Sequence, residues 1–356
     1  MTPVAPREDA RPASDDHPQP PPPPAARLVG LGGWLPPRRV TNDDVCARVD
    51  STDAWIRARI GITTRRIADP ATATSDMAVH AGRQALESAG IASVDAVLVA
   101  TASPDHLTPA TAAIVAHRLD QPQVPAFDVA AACSGFLYAC TAAAGLIAAG
   151  SARTVLVVGA EKLSAFTDPT DRSTAPIFGD GAGAVVLTAG QASRPGTLGP
   201  VVWGSDGAHA DALTVPDGGS RRPFSAAGPA DPFIRMRGSE VLRHAVRRMS
   251  HAAREAATAA GWTLADVDRL VLHQANAGIA TAVATQLGIP PDRVPTNIAR
   301  VANTSAASIP LLLAESATTG TLQPGHRTLL TAFGAGFTWA ACTVTWPDHL
   351  EARLVD

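Results

Sequence analysis

The sequence predicts a layered α/β fold built from two similar halves. Three observations carry that expectation. Short apolar runs alternate with helix-like segments along the chain. One order of small-residue start, apolar helix, glycine stop and buried strand occurs twice. The helices inside that repeat are rich in alanine, which suits tight burial between two sheets.

The N-terminal stretch, residues 1–26, is rich in Pro, Asp and Ala and includes "DDHPQPPPPPAAR". Its proline run favours extended polyproline II, and it cannot bury enough apolar surface to fold. We expect a disordered tail there, or a docking motif for a partner. It lacks the apolar core of a secretory signal. Order should begin near "RLVGLGGWLP", from Arg27. "VDAVLVATAS", "RTVLVVGAEK" and "GAGAVVLTAG" read as buried strands. "AVHAGRQALESAG" reads as a helix that stops on Gly90. "RTLLTAFGAGFTWAACTVTW" reads as two strands around a glycine turn.

The repeat pairs "ACSGFLYACTAAAGLIAAGSARTVLVVGAE" with "ANTSAASIPLLLAESATTGTLQPGHRTLLTAFGAG". Cys133 precedes Gly150 by 17 residues (150 − 133), and Asn303 precedes Gly320 by 17 (320 − 303). The two residues therefore fall at matching positions, which suggests one half over 27–190 and another over 191–356.

The chain has 356 residues, is 46% hydrophobic and carries a net charge of −3. That is ample for a large core. Nothing in the charge balance points to nucleic acid or a membrane surface, and no apolar run is long enough to span a bilayer. Four cysteines, Cys46, Cys133, Cys140 and Cys342, show no metal-ligand spacing and no disulfide framework. A reducing, cytoplasmic setting without a metal is expected.

Cys133 follows the strand-like "PAFDVAAA" and precedes a helix. A strand-to-helix corner puts unpaired N–H groups beside the sulfur and favours its thiolate. Taken alone, such a residue is more often a small buried hydrophobe. His273 ends an apolar strand in "LVLHQANAGI", a place where α/β proteins put site residues and where a structural histidine also fits. Asn303, in "VANTSAASIP", is by default a helix N-cap. "AFGAGFTWA" is a tight hairpin or a loop that aims N–H groups at an oxyanion. Together these residues supply a nucleophile, an imidazole, an amide donor and an oxyanion loop, a set suited to acyl transfer through a thioester.

At that point "DVAAACSGFLYA", "FGDGAGAVVL", "HQAN", "NTSAASIP" and "FGAGFTWA" closely resemble β-ketoacyl-ACP synthase III, the initiating ketosynthase of the thiolase superfamily. "STDAWIRARIGITTRRIA" and "DPTDRST" match it as well, and the resemblance runs from about Arg27 to Trp346. It implies a five-layered αβαβα thiolase-like fold, a homodimer, and no tightly bound cofactor. Acyl-CoA and malonyl-ACP (acyl carrier protein) would be the thioester substrates. By the same resemblance Cys133 would be acylated, and His273 and Asn303 would hold the malonyl thioester. The backbone N–H groups of Cys133 and Ala335 would form the oxyanion hole. Trp55 and Arg172 would bracket the CoA adenine, with Arg59 and Asn276 along the CoA and pantetheine channel. Arg243 and Gln274 would contact the carrier protein. Thr108 and Phe333 would border the acyl group.

Some positions depart from the family pattern. Ala335 and Ala302 stand where glycine is usual, and Ala335 fits only with a negative φ. Ala277 and Gly278 follow "HQAN" where an arginine-containing "LRI" is common, and Thr285 replaces a lysine. Carrier-protein docking is weakened accordingly. Thr108 replaces a pocket-closing phenylalanine found in some members, so a roomier acyl pocket is expected. The main functional expectation is decarboxylative Claisen condensation that primes a fatty-acid or polyketide chain. The alternatives are an acyltransferase that moves the Cys133 acyl group to an alcohol, amine or thiol, and a non-catalytic partner subunit. The intact Cys/His/Asn set argues against the last.

Overall fold

The computed structural model describes residues 23–225 and 228–356. Most of the expected 1–26 tail lies outside them. Ala25 and Ala26 already belong to the first strand, and Ala26 is buried, so order starts two residues before Arg27.

A six-stranded and a four-stranded sheet form the frame. Their strands are β1 (Ala25–Trp34), β2 (Ala96–Ala100), β3 (Ala126–Val129), β4 (Thr154–Lys162), β5 (Asp180–Gly190), β6 (Leu198–Ser205), β7 (Arg269–Leu272), β8 (Arg327–Gly334), β9 (Thr338–Thr345) and β10 (Ala352–Val355). The principal helices are α1 (Asp53–Ile60), α2 (Thr74–Ala89), α3 (Thr111–Arg118), α4 (Gly135–Ala148), α5 (Gly238–Ala259), α6 (Ala277–Leu287) and α7 (Ser308–Thr318).

The first sheet runs β10-β1-β5-β4-β2-β3 and the second β7-β8-β9-β6. β10 pairs in parallel with β1, so the last strand of the chain crosses into the first sheet. The two structural halves therefore do not separate at a single point near residue 190. The crossing strand lay beyond the repeat and left no periodic signal.

Five layers follow from which faces are apolar. β2 is buried at every residue, as expected of a strand covered on both sides. α4 and α7 lie between the sheets, where Phe136, Leu137, Ile309 and Leu312 join Leu98 and Val157 of the first sheet and Leu330 and Val344 of the second in one core. α2 and α3 cover the outer face of the first sheet. α5 and α6 cover that of the second. The expected thiolase-like αβαβα order is what the structure shows.

The repeat is visible at the backbone. α4 and α7 both end before a left-handed glycine, Gly150 at φ 71° and Gly320 at φ 73°. At their other ends Ala132 and Ala302, the residues before Cys133 and Asn303, both have positive φ, 45° and 61°. A β-carbon opposes that conformation. Ala302, with ψ −160°, lies in a region that glycine occupies almost alone.

We expect Ala302→Gly to stabilise the fold by about 1 kcal/mol, strain relief outweighing the added freedom of the unfolded chain. A urea titration measures this. An unchanged or lower midpoint would show that the surroundings absorb the strain.

Candidate active site

β3 ends at Val129, and the chain turns through a short 3-10 segment, Ala132–Ser134, into α4. Cys133 sits in that turn, half-buried. The turn lies against the second half so closely that a β-carbon on Gly334 would be 2.7 Å from the Cys133 nitrogen and 3.0 Å from that of Ser134. Only a glycine there lets the β8–β9 loop rest on the Cys133 turn.

Cys133, His273 and Asn303 line one cavity of about 600 Å³, together with Phe333, and with Trp55, Arg59, Arg172 and Asn276 also on its wall. Three residues far apart in sequence are thus brought together. His273 directly follows β7, and its N–H donates to Thr331 O at 2.9 Å. Its Nδ1 lies 2.6 Å from Ser308 Oγ, which also accepts the Gln274 N–H at 3.4 Å. The Ser308 hydroxyl has no other acceptor among the described residues, so its proton is assigned to Nδ1 and the ring proton to Nε2. Nε2 is buried and has no partner. Burial pushes the imidazole down to about 3, so it is neutral.

Asn303 is pinned through its backbone, its N–H donating to Ile177 O at 3.0 Å and its carbonyl accepting from Gly179 N at 3.0 Å. Its Oδ1 accepts the Ser305 N–H at 2.8 Å. That bond orients the amide and leaves Nδ2 as a donor. Asn303 is not the N-cap of the long helix, because a second 3-10 turn, Ser305–Ala307, separates it from α7.

The thiol corrects one expectation. Burial pushes the Cys133 thiol up to about 12, and Glu161 adds in the same direction. The resting group is the thiol rather than a thiolate. The reason is geometric: α4 begins two residues later, at Gly135, and the sulfur is desolvated by both halves.

Ala335 borders a second cavity of about 150 Å³ with Cys133, and it is not among the residues with positive φ. The condition on its replacing glycine is met. Neither the Cys133 nor the Ala335 N–H donates to a backbone carbonyl among the described residues. Leu163, Phe166, Phe178 and Ile234 make this smaller cavity apolar.

Other predicted residues fare unevenly. The Arg172 guanidinium carbon lies 4.9 Å from the Trp55 ring centroid, so the two stack on each other at the cavity mouth. A flat ring placed between them needs roughly 7 Å, twice the ordinary carbon contact, so they must part to admit one. Asn276 caps α6 through Oδ1 to Gly278 N at 2.7 Å, and its Nδ2 donates to Arg59 O at 3.3 Å. Gln274 cannot meet a protein partner. It is buried, Nε2 donating to Leu272 O at 2.8 Å and Oε1 accepting from Thr296 at 2.7 Å. Arg243 is exposed on α5. Thr108 is exposed on the loop after β2 and borders neither cavity of this chain, so the expected acyl-pocket role is not met within one chain.

Sequence reasoning missed Ser305, Ser308 and Glu161. The last is fully buried at the end of β4. A lone Glu inside "RTVLVVGAEK" was the available signal, since a buried carboxylate demands partners. It also missed a cluster of His209, Glu240 and His244, whose side-chain ligand atoms lie within 4.8 Å of one another. Arg237 already pairs with Glu240 at 2.8 Å, and both histidines pack on Phe337, two residues beyond Ala335.

Comparison with known proteins agrees with this arrangement. Residues 127–207 match the family described as 3-oxoacyl-[acyl-carrier-protein] synthase III, and residues 257–346 match its C-terminal part. A β-ketoacyl-[acyl-carrier-protein] synthase III of Streptomyces coelicolor is 53% identical over 91% of this chain and 98% of its own. One from Pseudomonas aeruginosa is 45% identical over 91% of this chain and 97% of its own. The crystal structure of a Pseudomonas aeruginosa 3-oxoacyl-ACP synthase III superposes with a TM-score of 0.86 at 44% identity, over 92% of this chain and 99% of that one. The priming β-ketosynthase of the R1128 polyketide pathway gives 0.86 at 36% identity, over 93% and 99%.

Two outcomes are expected. Gly334→Ala should slow acylation of Cys133 about 100-fold with the fold intact, since a β-carbon displaces the nucleophile turn by about an ångström; wild-type acylation rates would show that the turn gives way. His273 should destabilise the fold in acid. Its ordinary value is 6.5 and its folded value about 3, so the unfolded chain binds the proton more readily and stability is lost as pH falls through that window. His273→Gln should flatten this loss in denaturant titrations from pH 7 to 4; an unchanged slope would contradict a neutral buried imidazole.

Proposed function

The chain belongs to the 3-oxoacyl-[acyl-carrier-protein] synthase III family, and from that premise we propose how its residues divide a decarboxylative condensation of acyl-CoA with malonyl-ACP. The observation that carries the proposal is one cavity bordered by a thiol, Cys133, and by two side chains with free neutral donors, His273 Nε2 and Asn303 Nδ2.

In the first half-reaction the Cys133 sulfur attacks the acyl-CoA carbonyl and CoA leaves. The Cys133 and Ala335 N–H groups hold the tetrahedral oxyanion; one such donor lowers the barrier by about 2.7–4 kcal/mol. In the second, malonyl-ACP loses carbon dioxide and negative charge develops on its thioester oxygen. His273 and Asn303 donate to that oxygen, and they stabilise the charge more than the ground state. A carboxylate in place of Asn303 would oppose it. The carbanion then attacks acyl-Cys133 and gives 3-ketoacyl-ACP. The two thioesters supply every reacting group, so no resident cofactor or metal is needed.

Trp55 and Arg172 part to take the adenine, Arg59 lies beside its phosphates, and Asn276 contributes the helix start to the channel wall. Arg243 is the basic residue that remains for the acidic carrier protein. The acyl group occupies the smaller cavity, about 150 Å³, which has room for about five water-sized groups. Branched or longer primers should therefore react better than acetyl. For Thr108 to border that group, a second copy must supply it. The 86% exposed Leu107 beside it, and the exposed Phe127 on the unpaired edge strand β3, support a homodimer. No helix among the described residues is long and apolar enough to cross a membrane, and the free cysteines suit a reducing cytoplasm. Transfer to an alcohol or amine would leave the two donors with no enolate to stabilise, which favours condensation.

Intact mass after incubation with acyl-CoA, followed by malonyl-ACP, tests the assignment. Cys133→Ala should form no adduct. Asn303→Ala should keep the adduct and lose 3-ketoacyl-ACP formation by about 100-fold or more. Equal loss of both steps in Asn303→Ala would overturn its role. Acylation rates across acyl-CoAs test the pocket; a strong acetyl preference would contradict it.

A further inference from the structure

Glu161 is fully buried, yet no Lys, Arg or His pairs with it among the described residues. Its partners are hydroxyls and amides. Ser103 Oγ donates at 2.6 Å and the Ala102 N–H at 3.1 Å, both from the loop after β2. Ser305 Oγ donates at 2.8 Å from the 3-10 turn of the other half. A carboxylate without a countercharge is expensive to bury, and Ser305, which bonds this one, lines the same small cavity as Cys133.

Ser305 is placed for that purpose. Its φ is 47°, an unfavourable value for a residue with a side chain. Its N–H orients Asn303, and Ser305 lines the same small cavity as Cys133. The Ser305 proton is committed to Glu161, so toward the cysteine its oxygen can only accept. The order is thiol, serine oxygen, carboxylate.

Resting on the acyl-cysteine reading, we propose that Ser305 and Glu161 form a proton relay that takes the Cys133 proton during acylation and returns it in condensation. As the sulfur–acyl bond forms, the thiol proton passes to Ser305 Oγ and the serine proton passes to Glu161 Oε1. The CoA–acyl bond breaks, and CoA leaves as a thiolate that takes one proton from solvent. After decarboxylation the carbanion attacks acyl-Cys133, and the cysteine thiolate that leaves regains its proton from Glu161 through Ser305. Over the cycle one proton is consumed, on CoA, and Glu161 ends as it began.

Burial lifts Glu161 to about 7, near the range useful for a general base, and pushes the thiol up to about 12, so the proton must move as the sulfur–acyl bond forms rather than before it. The groups around the carboxylate leave it to the thiol. Lys162, next in β4, turns to the carbonyls of Asp69, Pro70 and Thr72. Asp180, opposite Lys162 in β5, is held by Ser164 and by the Ala68 N–H. In the loop after β2, Asp105 is taken up by the Ser75 N–H and His106 is exposed, and the Ser305 turn carries no charged side chain.

The pH profile of single-turnover acylation by a reactive acyl-CoA, read by mass, tests the relay. In the wild type the rate should rise with pH through about 7, as the carboxylate becomes available, and then level off. Ser305→Ala retains the backbone N–H that orients Asn303; it should acylate about 100-fold more slowly and lose that inflection. Glu161→Gln should do the same, and Glu161→Asp should recover part of the rate with an inflection. If Glu161→Gln does not fold, Ser305→Ala decides alone. Wild-type rates in Ser305→Ala would overturn the relay. So would a slowed rate that keeps the inflection, which is the result of mere positioning. Absence of an adduct in the wild type would instead refute the acyl-cysteine reading itself.

Discussion

The site exists because two backbones approach where no side chain intervenes. A β-carbon on Gly334 would collide with the amide nitrogen of Cys133, and one on Gly159 would lie 2.3 Å from the carbonyl oxygen of Ala306. The first contact presses the β8–β9 loop onto the nucleophile turn. The second presses the Ser305 turn onto β4, two residues before Glu161. Each half thus packs its functional turn against a strand of the other. The proposed oxyanion donors, the amide of Asn303 and the Ser305–Glu161 bond all depend on that registry, which explains why strained residues such as Ala302 and Ser305 persist there.

A consequence is that both donors proposed for the decarboxylation are neutral. Burial holds His273 uncharged, and Ser308 fixes which nitrogen carries the proton. Asn303 contributes a second neutral donor, oriented by the Ser305 N–H. Such a pair favours charge that develops on an oxygen during decarboxylation without binding the uncharged thioester too tightly. The cysteine is protected by the same burial, which keeps a reactive thiol protonated until an acyl group arrives.

Much of this was legible in the sequence, for reasons that can be located. The strands β2 and β4 and the helix α2 announce themselves through apolar runs and a glycine stop. The equal spacing of Cys133 and Asn303 from Gly150 and Gly320 reflects matching backbone, including the shared positive φ of Ala132 and Ala302. Other features were hidden because they depend on contacts distant in sequence. The cysteine pKa turned on desolvation by the other half, not on the local corner. Gln274 read as a surface contact but is consumed by Leu272 and Thr296. β10 joined the first sheet without any repeat to mark it. Thr108 read as a pocket residue but is exposed and borders neither cavity of the single chain.

The division into two half-reactions with separate groups is tested most directly by carbon dioxide release from malonyl-ACP in Cys133→Ala. His273 and Asn303 stand on their own elements and keep their donors without the thiol. The variant should form no acyl adduct yet still release carbon dioxide slowly, and His273→Ala in the same background should abolish that release. Complete loss of decarboxylation on removing the thiol from a folded protein would contradict the division.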